Sequence, residues 1–171
     1  VLQGAVCPTA PEDPDMLDLF REGHTQTRRR AARPVGQVDH PLHSYFSFCA
    51  PDRGLALVAA AQAAGLRPVL AESEFASLPV LSAVAPSKFG GRAGPRHYTE
   101  VAAGAITMRH VSDLHVFPNQ LRAVLADGAQ VANWLEMSAG LYNQLADTGE
   151  SDLVDPEGTG HNFDVLYGVT Y

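Results

Sequence analysis

The sequence predicts an α+β chain, with helices packed over a mixed β-sheet. Three observations carry that prediction. Several stretches repeat apolar residues at helical spacing, shorter apolar runs have the length of strands, and glycine and proline clusters separate them. With 46% hydrophobic and 18% charged residues over 171 positions, there is material for a core. The size suits one domain or a large piece of one.

The first element, "APEDPDMLDLFREGHTQTRRRAARP", reads as a helix of roughly 20 residues. Asp13 is placed to cap it, Pro14 suits the first turn, Arg28, Arg29 and Arg30 favour the last turn, and Pro34 ends it. Met16, Leu17 and Phe20 make a narrow apolar stripe, as in a connector that packs on one side. "HPLHSYFSF" follows as an extended piece. "APDRGLALVAAAQAAG" is a second helix, with Asp52 near its cap, Leu55, Val58, Ala61 and Gln62 on one face, and Gly65 closing it.

"LPVLSAVAP" (78–86) is a strand-length apolar run, and "KFGGRAGPRHYT" is a loop. "GAITMRHV" reads as a short strand or turn leading into Asp113, which then caps or closes the turn before Phe117. "QLRAVLADG" alternates and ends in an Asp127-Gly128 turn. "AQVANWLEMSAGLYNQL" gives a strong helix, with Trp134, Leu135 and Met137 expected in or at the edge of the core. "NFDVLYGVTY" looks like a strand that ends at Tyr171 without a turn, so further strands are expected beyond it.

A net charge of −7 argues against a nucleic-acid polymer as partner, because phosphate backbones demand a basic face. No run of about 18 apolar residues offers a membrane span. The opening "VLQGAVCPTA" lacks the features of a signal peptide, so any export signal is expected upstream. Cys7 and Cys49 leave two readings open, a disulfide or two free thiols, and alone they cannot make a structural zinc site.

"HVSDLHVFPNQL" (110–121) offers two chemistries. Asp113-x-His115 has the spacing of a metal-ligand pair. A two-metal site needs about six or seven ligands, and none of the seven histidines stands in a G-D-x-x-D, G-N-H-[DE] or H-x-H setting. No metal ligand and no catalytic residue is therefore expected in this chain. The other reading is an aromatic platform. Phe117 supplies a π-face, and Asn119 supplies donors and acceptors two residues on. In "SKFGGR", Gly90 and Gly91 let backbone amides approach an anion, while Lys88 and Arg92 suit a phosphate or sugar hydroxyl. A nucleotide requires these elements together.

Residues 78–145, with A-P-x-K-x-G-G-R, an aromatic-Pro-Asn step and W-L-E-M-S-A-G, closely resemble the C-terminal, substrate-binding domain of the 5′-nucleotidase family. The resemblance is to its periplasmic 2′,3′-cyclic-nucleotide 2′-phosphodiesterase/3′-nucleotidase branch. "NFDVLYGVTY" and "HSYFSF…LALVAAAQ" extend the resemblance over most of residues 20–171. It implies residues 1–33 as an interdomain linker helix region and 34–171 as a nucleotide-binding C-terminal domain, incomplete at its end. The parent would be a hydrolase whose N-terminal metallophosphoesterase domain, absent here, holds two divalent metal ions, so this chain alone is expected to be inactive and to carry no cofactor.

The resemblance further implies a periplasmic or secreted location and a base clamped between two rings. It gives Phe117 as the first ring, Asn119 as the amide beside the base, Arg92 after Gly90-Gly91 as the loop arginine, and Lys88 as a further contact. Ser87 and Tyr167 depart from the family's usual residues, and His43 is an ordinary surface histidine or one that approaches the site. The rival reading is a non-catalytic nucleotide-binding or surface interaction module that retains the fold.

Overall fold

The computed structural model describes residues 9–145 and 152–171, without the side chain of Arg92. Helix α1 spans Pro14–Ala31. The Asp13 carboxylate accepts from the N–H groups of Asp15 and Met16 at 2.9 and 3.3 Å, satisfying two of the donors that a helix start leaves open. Arg28, Arg29 and Arg30 complement the last turn as expected. No α1 residue is buried, and the Met16–Leu17–Phe20 stripe stays exposed.

The strands make three antiparallel pairs rather than a mixed sheet. Strand β1 (Pro34–Val38) pairs with β5 (Gly104–Thr107), and β2 (Leu42–His43) pairs with β4 (Glu100–Val101). Strand β3 (Ser82–Val84) pairs with β6 (Val165–Tyr167). Among the described residues each strand has a single partner. The strands are too short, and too closely bounded by glycine, proline and turns, to line up as one ladder. Pro34 opens β1, where a missing N–H costs nothing, and a register shift follows between Pro34 and Gly36.

Two small apolar clusters hold the pairs together. Leu42, Val101 and Ile106 form one, flanked by Val38 and Leu114. Leu55, Ala59 and Val84 form the other, with Val58, Val165 and Tyr167 against it. The second cluster is built on helix α2, Arg53–Ala71, capped by Asp52, whose carboxylate accepts from Leu55 N–H at 3.0 Å. Ser82 Oγ donates to the Ala59 carbonyl at 3.0 Å and ties β3 to this helix.

Sequence placed the end of α2 at Gly65, yet the helix continues to Ala71 through Pro68. A glycine ends a helix by adopting positive φ, and Gly65 is not among the residues that do so. It faces Leu121, and a methyl group there would make ordinary contact with Leu121 Cδ2 at 3.4 Å. The buried stripe is Leu55, Ala59 and Ala63, one turn apart, rather than Leu55, Val58, Ala61 and Gln62. By length and a mean hydropathy of 1.4, α2 is also a helix apolar enough to cross a membrane, which the sequence reading had not anticipated. Here it is the helix on which β3 and β6 pack.

Helix α4, Gly128–Ala139, corrects two further expectations. Asp127-Gly128 is its N-terminus, not a hairpin turn. Asp127 accepts from Gln130 N–H at 2.8 Å, while Gln130 Oε1 accepts from Asp127 N–H at 2.9 Å, a reciprocal cap. "QLRAVLADG" forms no strand before it, since no neighbouring strand offers its backbone a ladder. Toward β6, Trp134 Nε1 donates to Asp164 Oδ2 at 2.8 Å, and the Ser138 hydroxyl accepts from Asp164 N–H at 3.2 Å. Met137 is 59% exposed rather than part of the core, because α4 turns the Trp134–Ser138 face inward.

Candidate functional site

"GAITMRHV" divides between β5 and a short helix, α3, Met108–Leu114. Asp113 therefore stands in the last turn of a helix instead of closing a turn before Phe117. A carboxylate there opposes the partial negative charge of the helix end. The Lys88 ammonium offsets this by pairing with Asp113 Oδ1, both side chains being about three-quarters covered. Two further bonds bind the same helix end. Thr99 Oγ1 donates to the Asp113 carbonyl at 3.2 Å, and Ser87 Oγ to the Leu114 carbonyl at 3.4 Å. Below them, a methyl group at Gly54 would lie 3.0 Å from Leu114 Cδ2, so the first turn of α2 packs tightly against the end of α3.

Lys88, Gly90 and Gly91 thus sit on a loop whose two ends are fixed. Phe89 and Tyr98 face each other across an antiparallel bridge, and Gly90 N–H donates to the His97 carbonyl at 2.7 Å. That amide is spent inside the loop, contrary to its expected availability to an anion. Gly90 has φ +76° and Gly91 φ +59°, conformations glycine adopts without strain. The backbone of Arg92 lies in the single 3₁₀ turn Gly91–Ala93 that follows; its side chain lies outside the described residues.

Phe117 stands three residues beyond Leu114 and is 64% exposed. Asn119 N–H donates back to the Phe117 carbonyl at 2.8 Å, closing a three-residue turn about Pro118. Both side chains of this turn are exposed. The chain then runs without helix or strand to Asp127, returning to α2 where Leu121 meets Gly65. The structure brings Lys88 to the base of the Phe117 turn through Asp113. His115, at the end of α3, is exposed, and Asp113 faces Lys88. Among the described residues no three His, Cys, Asp or Glu side chains gather as a metal site.

His43 lines a cavity of about 10 Å³ with Ser44, Asp52, Ser87, Thr99 and Leu114, directly under the end of α3. Such a volume is about that of one water. The His43 Nδ1 atom is buried without a protein partner. A larger open depression of about 460 Å³ lies against Phe48, Cys49, Tyr142, Phe163 and Tyr171, and contains none of the expected site residues. Cys49 is exposed there, while Cys7, its candidate partner, lies outside the described residues.

Sequence reasoning passed over two residues that hold the loop, Tyr98 and Thr99, and noted Ser87 only as a departure from the family's usual residue. The available signal was the Phe89…Tyr98 pair flanking a glycine-proline turn, which reads as two facing positions of an irregular hairpin. Tyr167, which departs from the family's usual residue, has a structural partner, its hydroxyl donating to the Asp52 carbonyl at 3.2 Å. Burial, and then the Asp52 charge, hold its phenol above the ordinary value of 10.0.

Comparison with known proteins gives the class first: the matches are nucleotide phosphoesterases. The 2′,3′-cyclic-nucleotide 2′-phosphodiesterase/3′-nucleotidase of Haemophilus influenzae is 39% identical over 167 residues, 95% of this chain and 25% of that protein. The corresponding protein of Salmonella typhimurium is 36% identical over 95% of this chain and 26% of its own length. The trifunctional nucleotide phosphoesterase protein YfkN of Bacillus subtilis is 36% identical over 91% of this chain and 11% of its own. The chain is a relative of the 2′,3′-cyclic-nucleotide 2′-phosphodiesterase/3′-nucleotidases, as the motifs implied, and spans about a quarter or less of their length. No family profile and no solved structure matches it.

Proposed function

We propose that the chain is the substrate-binding, specificity-determining part of a bifunctional 2′,3′-cyclic-nucleotide 2′-phosphodiesterase/3′-nucleotidase, with the C-terminal-domain fold of the 5′-nucleotidase family. The observation that carries this reading is the tie between two loops. Phe117 and Asn119 project from a turn whose stem is fastened to both ends of the glycine loop, to Ser87–Lys88 by the Asp113 ion pair and one hydrogen bond and to Thr99 by a second. A nucleotide lying across them would stack its base on Phe117, offer a base edge to Asn119, and direct sugar and phosphate to Gly91 and Arg92. Lys88, its charge offset by Asp113, fixes the distance between the two halves and leaves its remaining N–H donors to the ligand; Gly90 shapes the turn.

Division of labour follows from physical chemistry. A ring stacked on the base contributes equally before and during reaction, so its binding energy serves to place the phosphate. Hydrolysis itself is assigned to a metallophosphoesterase domain of the longer protein. Two divalent metals there would supply the activated water and stabilise charge on the phosphoryl oxygens. The residues described in this chain offer no such ligand set. A periplasmic location belongs to the same proposal.

The test is a nuclear magnetic resonance titration of the chain with adenosine 3′-phosphate, beside inorganic phosphate. Phe117→Ala should weaken nucleotide binding by about 5- to 150-fold, the equivalent of 1–3 kcal/mol for one stacked base. Phosphate alone should bind both proteins alike. Equal nucleotide affinity for the two proteins would remove Phe117 from the site.

A further inference from the structure

Why does the glycine loop keep one shape, when three of its five residues from 90 to 94 are glycines at positive φ (Gly90, Gly91 and Gly94)? One side chain lies across it. A methyl group built at Gly90 would fall 2.6 Å from Tyr98 Oη and 3.0 Å from Tyr98 Cζ, so the phenol occupies the space beside the Gly90 Cα. Tyr98 is itself tied down on two sides. Its ring packs on Tyr45 at 5.1 Å between centroids, and Tyr45 stacks on His43 at 5.2 Å. In the backbone, Thr99 N–H donates to Ser44 Oγ at 2.9 Å and Ser44 N–H to the Thr99 carbonyl at 3.2 Å. These bonds continue the β2–β4 pair, which ends at Val101, 1% exposed in the first core cluster.

We infer that Tyr98, backed by Tyr45 and His43, is a positioning residue that locks the Gly90–Gly94 turn against β2–β4 and so sets the pose of the nucleotide's sugar–phosphate part. This rests on the function proposed above. A glycine turn without such a lid samples several conformations, and a ligand must then pay to order it. With the lid in place that ordering is complete before binding. Phe89 closes the opposite side: a methyl group at Gly91 would lie 3.2 Å from its ring, and the ring packs on Phe48 at 5.3 Å. The turn is held between two aromatic groups, of which Tyr98 covers the glycine itself.

Three variants of the 171-residue chain test this: Tyr98→Leu, Tyr98→Phe and Gly90→Ala. Amide hydrogen exchange reads the turn without any ligand. Tyr98→Leu should accelerate exchange across residues 90–94 by about tenfold or more while amides of α2 and α4 keep their protection. Tyr98→Phe, which retains the ring, should stay within about twofold of the parent. In titrations, Tyr98→Leu should weaken adenosine 3′-phosphate about tenfold and adenosine by less than about twofold. In the Tyr98→Leu background Gly90→Ala should keep its backbone-strain cost but lose the part due to the Tyr98 contact, so the two substitutions should be less than additive. Unchanged exchange at 90–94 in Tyr98→Leu overturns the inference, and so does loss of protection spread evenly through α2, which would make Tyr98 an ordinary core residue. If the parent chain binds neither nucleotide nor nucleoside, the proposed function fails, and the exchange data alone decide the role of Tyr98.

Discussion

The Lys88 ammonium is paired with the Asp113 carboxylate, and this joins the glycine loop to the last turn of α3, from which the Phe117 turn departs. Both side chains are mostly covered, so the pair lies between the exposed and buried limits. Lys88→Met and Asp113→Asn should each cost about 1–2 kcal/mol in urea unfolding, and the double variant less than their sum. A double-mutant cycle with no coupling would show that the pair contributes nothing net.

Gly90 and Gly94 separate two causes of glycine dependence. Both have positive φ, but a methyl group at Gly94 meets nothing within 4 Å, whereas at Gly90 it meets the Tyr98 hydroxyl. Gly94→Ala should cost only backbone strain, about 1–3 kcal/mol, and Gly90→Ala clearly more. Thermal unfolding of the two variants side by side decides; equal costs would mean that Tyr98 moves aside freely.

Asp52 is buried, caps α2 at Leu55 N–H, and accepts from the Ser47 hydroxyl. Asp52→Ala should cost about 1–2 kcal/mol, chiefly the lost cap, because the Ser47 hydroxyl keeps the Ser44 carbonyl as an acceptor at 3.1 Å. Asp52→Asn keeps an acceptor for the cap and should cost about 1 kcal/mol. Circular dichroism melts of both variants give the comparison.

Phe117 is a large apolar side chain left exposed, so its removal should be almost silent in folding. Phe117→Ala is expected within about 0.5 kcal/mol of the parent in urea unfolding, while nucleotide titration registers its loss. A large stability change would make the ring structural.

Alkaline stability should depend on Tyr167. Its phenol is held above the ordinary value of 10.0 by burial, so the folded chain retains this proton longer than the unfolded one. The stabilisation is therefore complete below about pH 10 and declines as pH rises through the unfolded value toward the folded one. Tyr167→Phe should flatten that decline, which unfolding free energies measured from pH 8 to 11 would reveal as a smaller slope.

Sequence alone determined the local features. Asp13 and Asp52 cap α1 and α2 because a short carboxylate before an apolar-periodic run has near backbone donors to satisfy. The loop character of residues 88–99 was equally legible, since several glycines and a proline leave no regular element to form. The motif set of residues 78–145 was specific enough to indicate the relatives that comparison found.

Tertiary structure decided what depends on distant neighbours. Gly65 looks like a helix end in isolation, yet α2 continues through it to Ala71, with β3 and β6 packed on the helix. Alternating "QLRAVLADG" has the pattern of a strand but no partner among the described residues, and a ladder requires one. Asp113 read as a metal ligand or turn residue, and only the approach of Lys88 from 25 positions away gave it a role. Tyr98 was invisible for the same reason: its function lies in the space beside Gly90, and no linear pattern records which side chain fills a space. Caps and turns are fixed by groups a few bonds apart, whereas close approach and charge pairing are fixed by packing of the whole chain.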